Sequence, residues 1–239
     1  MNKATLLKSL TLILTMGVGM NAMAGWFGLD GTSWKEEVLL HDGAKIVVQR
    51  SQSYGSRPTL DSREKRVLEE VWSIPVLGGD RTLIWKTGFR TPPEGPSLIL
   101  MLIDFINGIP YLATSPAGCI AYNYWGRPNP PYVFFKHDGK DWRRISLEEF
   151  PPQFTEPNVV VGRPDPNHRS GTLTLDMVKQ DNAGLEPYHR VIAREPITKG
   201  DGNWRCPQME YDGEGGWRAP GGAKAPHPIE PVGTAKGQK

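Results

Sequence analysis

The chain has 239 residues, enough for one domain with appendages or at most two small ones, and 38% are hydrophobic, which can supply a core. Its 27 glycines and 22 prolines mean many turns without reaching low-complexity disorder. A net charge of only +2 offers no basic stripe for a polyanion, so nucleic acid is not an expected partner.

Residues 1–24 read as an export signal. Lys3 and Lys8 give a positive start, residues 9–18 are mostly apolar, and Ala22-Met23-Ala24 fits the small-x-small cleavage pattern, which predicts a mature chain beginning at Gly25. The apolar run is about half of the ~20 residues that span a bilayer, so no membrane span is expected after processing. No cysteine follows the leader to carry a lipoprotein's acyl anchor, which leaves a periplasmic or secreted product. Losing Lys3 and Lys8 brings the 28 basic residues down to 26, equal to the 26 acids. The mature surface is then neutral on average.

Residues 25–219 are expected to form a single β-rich domain. Four hairpins are predicted in succession, because Asp-Gly, Gly-Gly and Asn-Gly pairs tolerate the positive φ that tight turns between twisted strands require. The first pairs 36–41 with 44–50 across Asp42-Gly43, and the second pairs 66–76 with 81–89 across Gly78-Gly79-Asp80. In the second, Leu68, Glu70, Trp72, Ile74 and Val76 share one face by alternation. The third pairs 98–105 with 109–114 across Asn107-Gly108; its first arm is apolar on both faces and reads as a central strand. The fourth pairs 132–137 with 140–145 across Asp138-Gly139.

Helices should be short accessories. Ser146-Leu147-Glu148-Glu149 has capping-box spacing but is stopped by Pro151 and Pro152, while Thr174 can cap a helix over 175–182 that ends at Gly184. Strands are expected again near 188–194 and 209–211, and residues 220–239 read as a flexible tail with almost nothing to bury. The fold class is therefore mainly β: antiparallel hairpins forming a sandwich or partly open barrel, with one or two short helices. Cys119 and Cys206 are the two cysteines, and an even count in an exported chain predicts a bridge.

The residues carry no glycine-x-serine-x-glycine elbow, phosphate loop or His-Glu-x-x-His site, so no catalytic residue is assigned. The doublets Glu36-Glu37 and Glu69-Glu70 point their members to opposite faces of a strand, and Glu148-Glu149 lies in the short capped turn; all three read as solvated. His41, His137, His168, His189 and His227 show no metal-ligand spacing, and an arginine at the fifth position of a partial calcium pattern starting at Asp165 argues against calcium. No metal or cofactor is expected. The distinctive stretch is 122–132, where three prolines and a glycine stiffen a loop bearing Tyr122, Asn123, Tyr124, Trp125, Arg127 and Tyr132. Rigid rings edged by polar groups can hold a sugar or peptide with little entropy lost, and these six residues are the candidate ligand-binding set; the competing reading is that the rings cap a sheet.

The runs Trp34-Lys35-Glu36-Glu37-Val38-Leu39-Leu40-His41-Asp42-Gly43 and Trp125-Gly126-Arg127-Pro128-Asn129-Pro130-Pro131-Tyr132, the stretch onward to Phe150-Pro151, and Cys206-Pro207 resemble an uncharacterised family of exported proteobacterial proteins. That resemblance implies export and carries no activity. The expectation is a binding or structural module without intrinsic catalysis, its partner an envelope protein or glycan. The alternative is an envelope polysaccharide or peptidoglycan hydrolase or lyase using carboxylates from separate strands.

Overall fold

The computed structural model describes residues 31–58, 65–168, 171–197 and 206–221. The leader over 1–24 lies outside them, as does the predicted tail beyond residue 221. Two antiparallel sheets pack face to face as a sandwich. The first holds β1 (Gly31–Leu39), β2 (Lys45–Pro58), β3 (Lys65–Pro75) and β4 (Thr82–Gly88) in the order β4-β3-β2-β1, with β9 (Thr172–Leu173) added beyond β1 in parallel. The second has the order β5 (Leu98–Ile106), β6 (Ile109–Pro116), β7 (Val133–His137), β8 (Trp142–Ile145). All four predicted hairpins form, with positive φ at Gly43, Gly78, Asn107, Gly108 and Gly139.

The main core lies between the sheets. Val38, Val48, Ile74 and Trp85 of the first meet Leu100, Ile103, Leu112 and Phe135 of the second. The second sheet is buried on its other face as well, where Met101, Tyr111 and Phe134 pack under Phe150, Phe154 and Ile192. This double burial explains the continuously apolar β5, but the expected central position is corrected: β5 is an edge strand. Its open edge is covered by the loop after β8. The Asn158 side-chain oxygen accepts from the Ile103 amide at 3.0 Å, its amide donates to Ile103 O at 2.8 Å, and the Asn158 backbone N–H donates to Met101 O. A covered edge cannot template pairing with another chain.

Thr174 caps α2 (Leu175–Asn182) as predicted, its hydroxyl accepting from Met177 N, and α2 lays Val178 against Trp34 and Leu173 beside β1. Three local expectations are corrected. Residues 146–149 close only a turn, with Phe150 N bonded to Ser146 O. The strand expected near 188–194 is instead the short helix α3 (Pro187–Arg190) followed by irregular chain, since Pro187 at a helix start presets the needed φ. Residues 119–124, read as entering a rigid loop, form the one-and-a-half-turn helix α1 (Cys119–Tyr124). β10 (Glu210–Tyr211) and β11 (Trp217–Arg218) make a small separate ribbon. Among the described residues no helix is long and apolar enough to cross a membrane.

Candidate functional site

Strand register places an arginine at the centre of the first sheet's inner face. Trp34, Arg50, Trp72 and Trp85 stand opposite one another across β1, β2, β3 and β4. The guanidinium, 2% exposed, therefore lies between two indoles, 5.0 Å from the Trp34 ring centroid and 4.4 Å from that of Trp72. A delocalised, weakly hydrated cation tolerates such stacking, which a compact ammonium would not reproduce.

Two residues along each flanking strand, on the same face, sits a glutamate. Glu36 Oε1 accepts from Trp34 Nε1 at 2.6 Å and from Arg50 at 3.3 Å, while Glu36 Oε2 accepts from the Val160 amide at 2.9 Å. Glu70 Oε1 accepts from Trp72 Nε1 at 2.7 Å; its Oε2 accepts from Arg50 at 2.7 Å and from Gln52 at 2.6 Å. The arginine also donates to Val160 O and Gly162 O, which ties the 159–162 segment to the sheet. Glu36 and Glu70 are 0% and 1% exposed, so the solvated reading of the first two doublets is corrected for one member of each. Burial pushes the Glu36 carboxyl above its ordinary range, against the pull of Arg50, the Val160 N–H and the Trp34 N–H. The network is a rigid wall.

A pocket of about 490 Å³ opens beside it, within the range of small-molecule sites. Gln52 and Glu70 form part of its polar side, and the walls continue through β3, the loop over 89–97 and α1. A register shift between Ser53 and Tyr54 pairs Ser53 with Glu69 and Tyr54 with Val67, leaving Leu68 as an extra residue on β3. The predicted alternation holds for Glu70, Trp72 and Ile74, and the bulge reverses it only before them, turning Val67 into the pocket's lining. The 89–97 loop is pinned at several points. Ser97 donates its amide to Gly88 O and its hydroxyl to Arg90 O, while Trp125 Nε1 reaches Pro96 O and Trp217 Nε1 reaches Pro92 O, each at 2.8 Å.

The six residues singled out from sequence fall near this region but turn to other tasks within the chain. Tyr122 and Asn123 are on α1; Tyr122 is buried, its hydroxyl pKa raised by burial against the pull of Arg127, which lies over its ring. Arg127 donates to Asn123 Oδ1, Pro207 O and Cys206 O, and Asn123 bonds Pro207 O and the Met209 amide, so both hold the C-terminal segment. Trp125 packs edge-on against Phe135. Tyr132 is buried with its hydroxyl 2.8 Å from both Tyr188 O and Val191 O, and burial pushes its pKa up to about 12. Tyr124, 43% exposed, keeps an open ring face. The predicted disulfide joins Cys119 to Cys206, with Cα atoms 5.2 Å apart.

Elsewhere, the buried Ser115 hydroxyl lies 2.8 Å from His189 Nε2, and burial lowers the His189 pKa to about 4. The described residues contain no cluster of three or more metal-ligating side chains. No protein-family model, curated protein or solved structure matches the chain. The residues that sequence reasoning missed are Arg50, Gln52, Glu70 and Glu36. Their trace was present as charged residues and one amide at every second position in line with Trp34, Val48, Trp72 and Ile74, polar groups on faces that otherwise read as core.

Proposed function

We propose that this protein acts outside the cytoplasm, as an exported proteobacterial protein, and that it is a non-catalytic binding module whose receptor site is the pocket between the sheets. The observation carrying this reading is a concave site with one wall fixed by the Glu36–Arg50–Glu70 network and its rim loop pinned by two indoles. A pocket already shaped before its ligand arrives loses little entropy on binding. The disulfide suits an oxidising compartment. Carboxylates from two strands do converge here, as the hydrolase alternative requires, yet Glu36 has no exposed surface and every oxygen of the pair accepts from an indole, guanidinium or amide. Such acids are poorly placed to reach a glycosidic bond.

The test uses the full chain purified after export, screened by thermal melts against envelope glycan fragments, short peptides and small organic acids. A true ligand raises stability with concentration, by about 2.7 kcal/mol at a hundred times its Kd. Ile120→Trp, which fills the pocket from its partly exposed α1 wall, should abolish the shift while leaving the unliganded melt within a few degrees. Turnover of any glycan or peptide in the panel, or a shift untouched by that substitution, would overturn the reading.

A further inference from the structure

Among the described residues, the charge lining the pocket is unbalanced. Four guanidiniums line it, from Arg50, Arg66, Arg90 and Arg163, against one carboxylate, Glu70. Arg50 is engaged by Glu70 at 2.7 Å and by Glu36, which is not part of the lining, at 3.3 Å, and Glu70's oxygens are fully engaged by Trp72, Arg50 and Gln52. Among the described residues, Arg66 and Arg90 therefore have no compensating acid in the lining. Arg66 uses one nitrogen on Phe89 O at 2.6 Å, which fixes its side chain without neutralising it, and among the described residues no carboxylate bonds to Arg66 or Arg90. Arg163, at the same mouth, sits over the Tyr54 ring and donates to Lys65 O. The rest of the lining is apolar: Val67, Phe89 and Ile99 on one side, Ala117, Ile120 and Ala121 on the other.

An apolar floor beside guanidiniums, one of them held by Phe89 O, matches one ligand chemistry. Guanidiniums recognise planar or tetrahedral oxyanions through paired N–H donors, and low-dielectric walls strengthen that attraction. A hydrophobic body replaces water poorly held on the floor. We infer that the pocket binds a small amphiphilic organic anion, an apolar body carrying one carboxylate or phosphate head, with Arg66 and Arg90 on the head and Val67, Phe89 and Ile120 around the body. This inference rests on the binding-module reading above and names the ligand class of the same site.

Titration calorimetry of the full chain at fixed ionic strength tests it with octanoate, octyl phosphate, 1-octanol and acetate. Octanoate or octyl phosphate should bind, the better of the two identifying the head, while the neutral alcohol and the body-less acetate should bind at least about tenfold more weakly. Arg90→Gln and Arg66→Gln should each weaken the preferred anion by about tenfold or more, and Arg90→Lys, which keeps the charge but loses the fork, should fall between. Arg90 is exposed, so its variants can fold even where Arg66→Gln does not. Added salt should weaken binding of the anions. Octanol binding as tightly as octanoate, or anion affinity unchanged in Arg90→Gln, overturns the inference and leaves the binding module standing. If these four probes and the glycan, peptide and organic-acid panel all fail to bind, the inference and the module reading fall together.

Discussion

At the scale of single residues, the least expected feature is a charged triad in the core of a protein whose net charge is only +2. Removing three ionic groups from water is expensive, and such groups are often no better for stability than apolar residues of the same shape. What they supply here is direction. Arg50 bonds strands on either side and the 159–162 segment, so a shift of any of these would leave a buried charge unpaired. His189 makes a different use of burial. Its pKa falls from an ordinary 6.5 to about 4, so the folded chain holds it neutral over a range in which the unfolded chain takes up a proton. Between those values the unfolded state binds more protons, and stability must rise with pH. The contribution is complete above about 6.5 and is lost as pH falls through 4, amounting to at most about 3 kcal/mol. Urea melts at pH 7.5 and 4.5 should show that loss in the native sequence and a smaller one in His189→Gln. Equal losses in both would remove His189 as the cause.

At the scale of elements, the hairpins were legible because each is set by a local rule. Asp-Gly and Asn-Gly turns demand positive φ, and Asn107 and Gly108 adopt 50° and 75°. The α2 helix was legible for the same reason, through its Thr174 cap. What was not legible depended on partners far along the chain. The alternation of β3 gave no hint of the bulge at Leu68, since nothing in that strand specifies where β2 will slip. The stretch 122–132 reads as a binding loop because exposed and buried rings look alike until their neighbours are known, and Arg127's partners lie at Cys206 and Pro207. The loop over 89–97 has its own hidden requirement. A Cβ on Gly95 would come within 2.8 Å of Gly88 O and 3.0 Å of Gly88 C, contacts with backbone that cannot step aside. Gly95→Ala should therefore destabilise by about 1–3 kcal/mol and loosen the pocket's rim. Hydrogen exchange should show faster exchange at Ser97 N, whose bond to Gly88 O would be strained, and unchanged protection there would refute the account.

At the scale of the molecule, the two sheets are joined by a shared core, but residues 206–221 have little core of their own. Its described part is a two-stranded ribbon, and an isolated hairpin is marginal in water. Among the attachments that hold it to the body are the bridge to Cys119, the bonds from Arg127 and Asn123 to Cys206 O and Pro207 O, and Trp217 donating to Pro92 O. The bridge and the Trp217 bond end on pocket walls, since Cys119 and Pro92 both line the site. The bridge therefore acts on the fold and on the pocket together. In the chain-entropy view, a crosslink spanning 87 positions stabilises by roughly 4 kcal/mol. The double variant Cys119→Ser, Cys206→Ser should lose about that much in denaturant melts, and wild-type protein with reductant should approach the same midpoint. Because Trp217 also braces the 89–97 loop, the variant should lose pocket affinity under conditions where both sheets remain folded. Melts that do not move on reduction would show that the hydrogen bonds alone hold this segment. Affinity that survives the change would show that the rim stands without it.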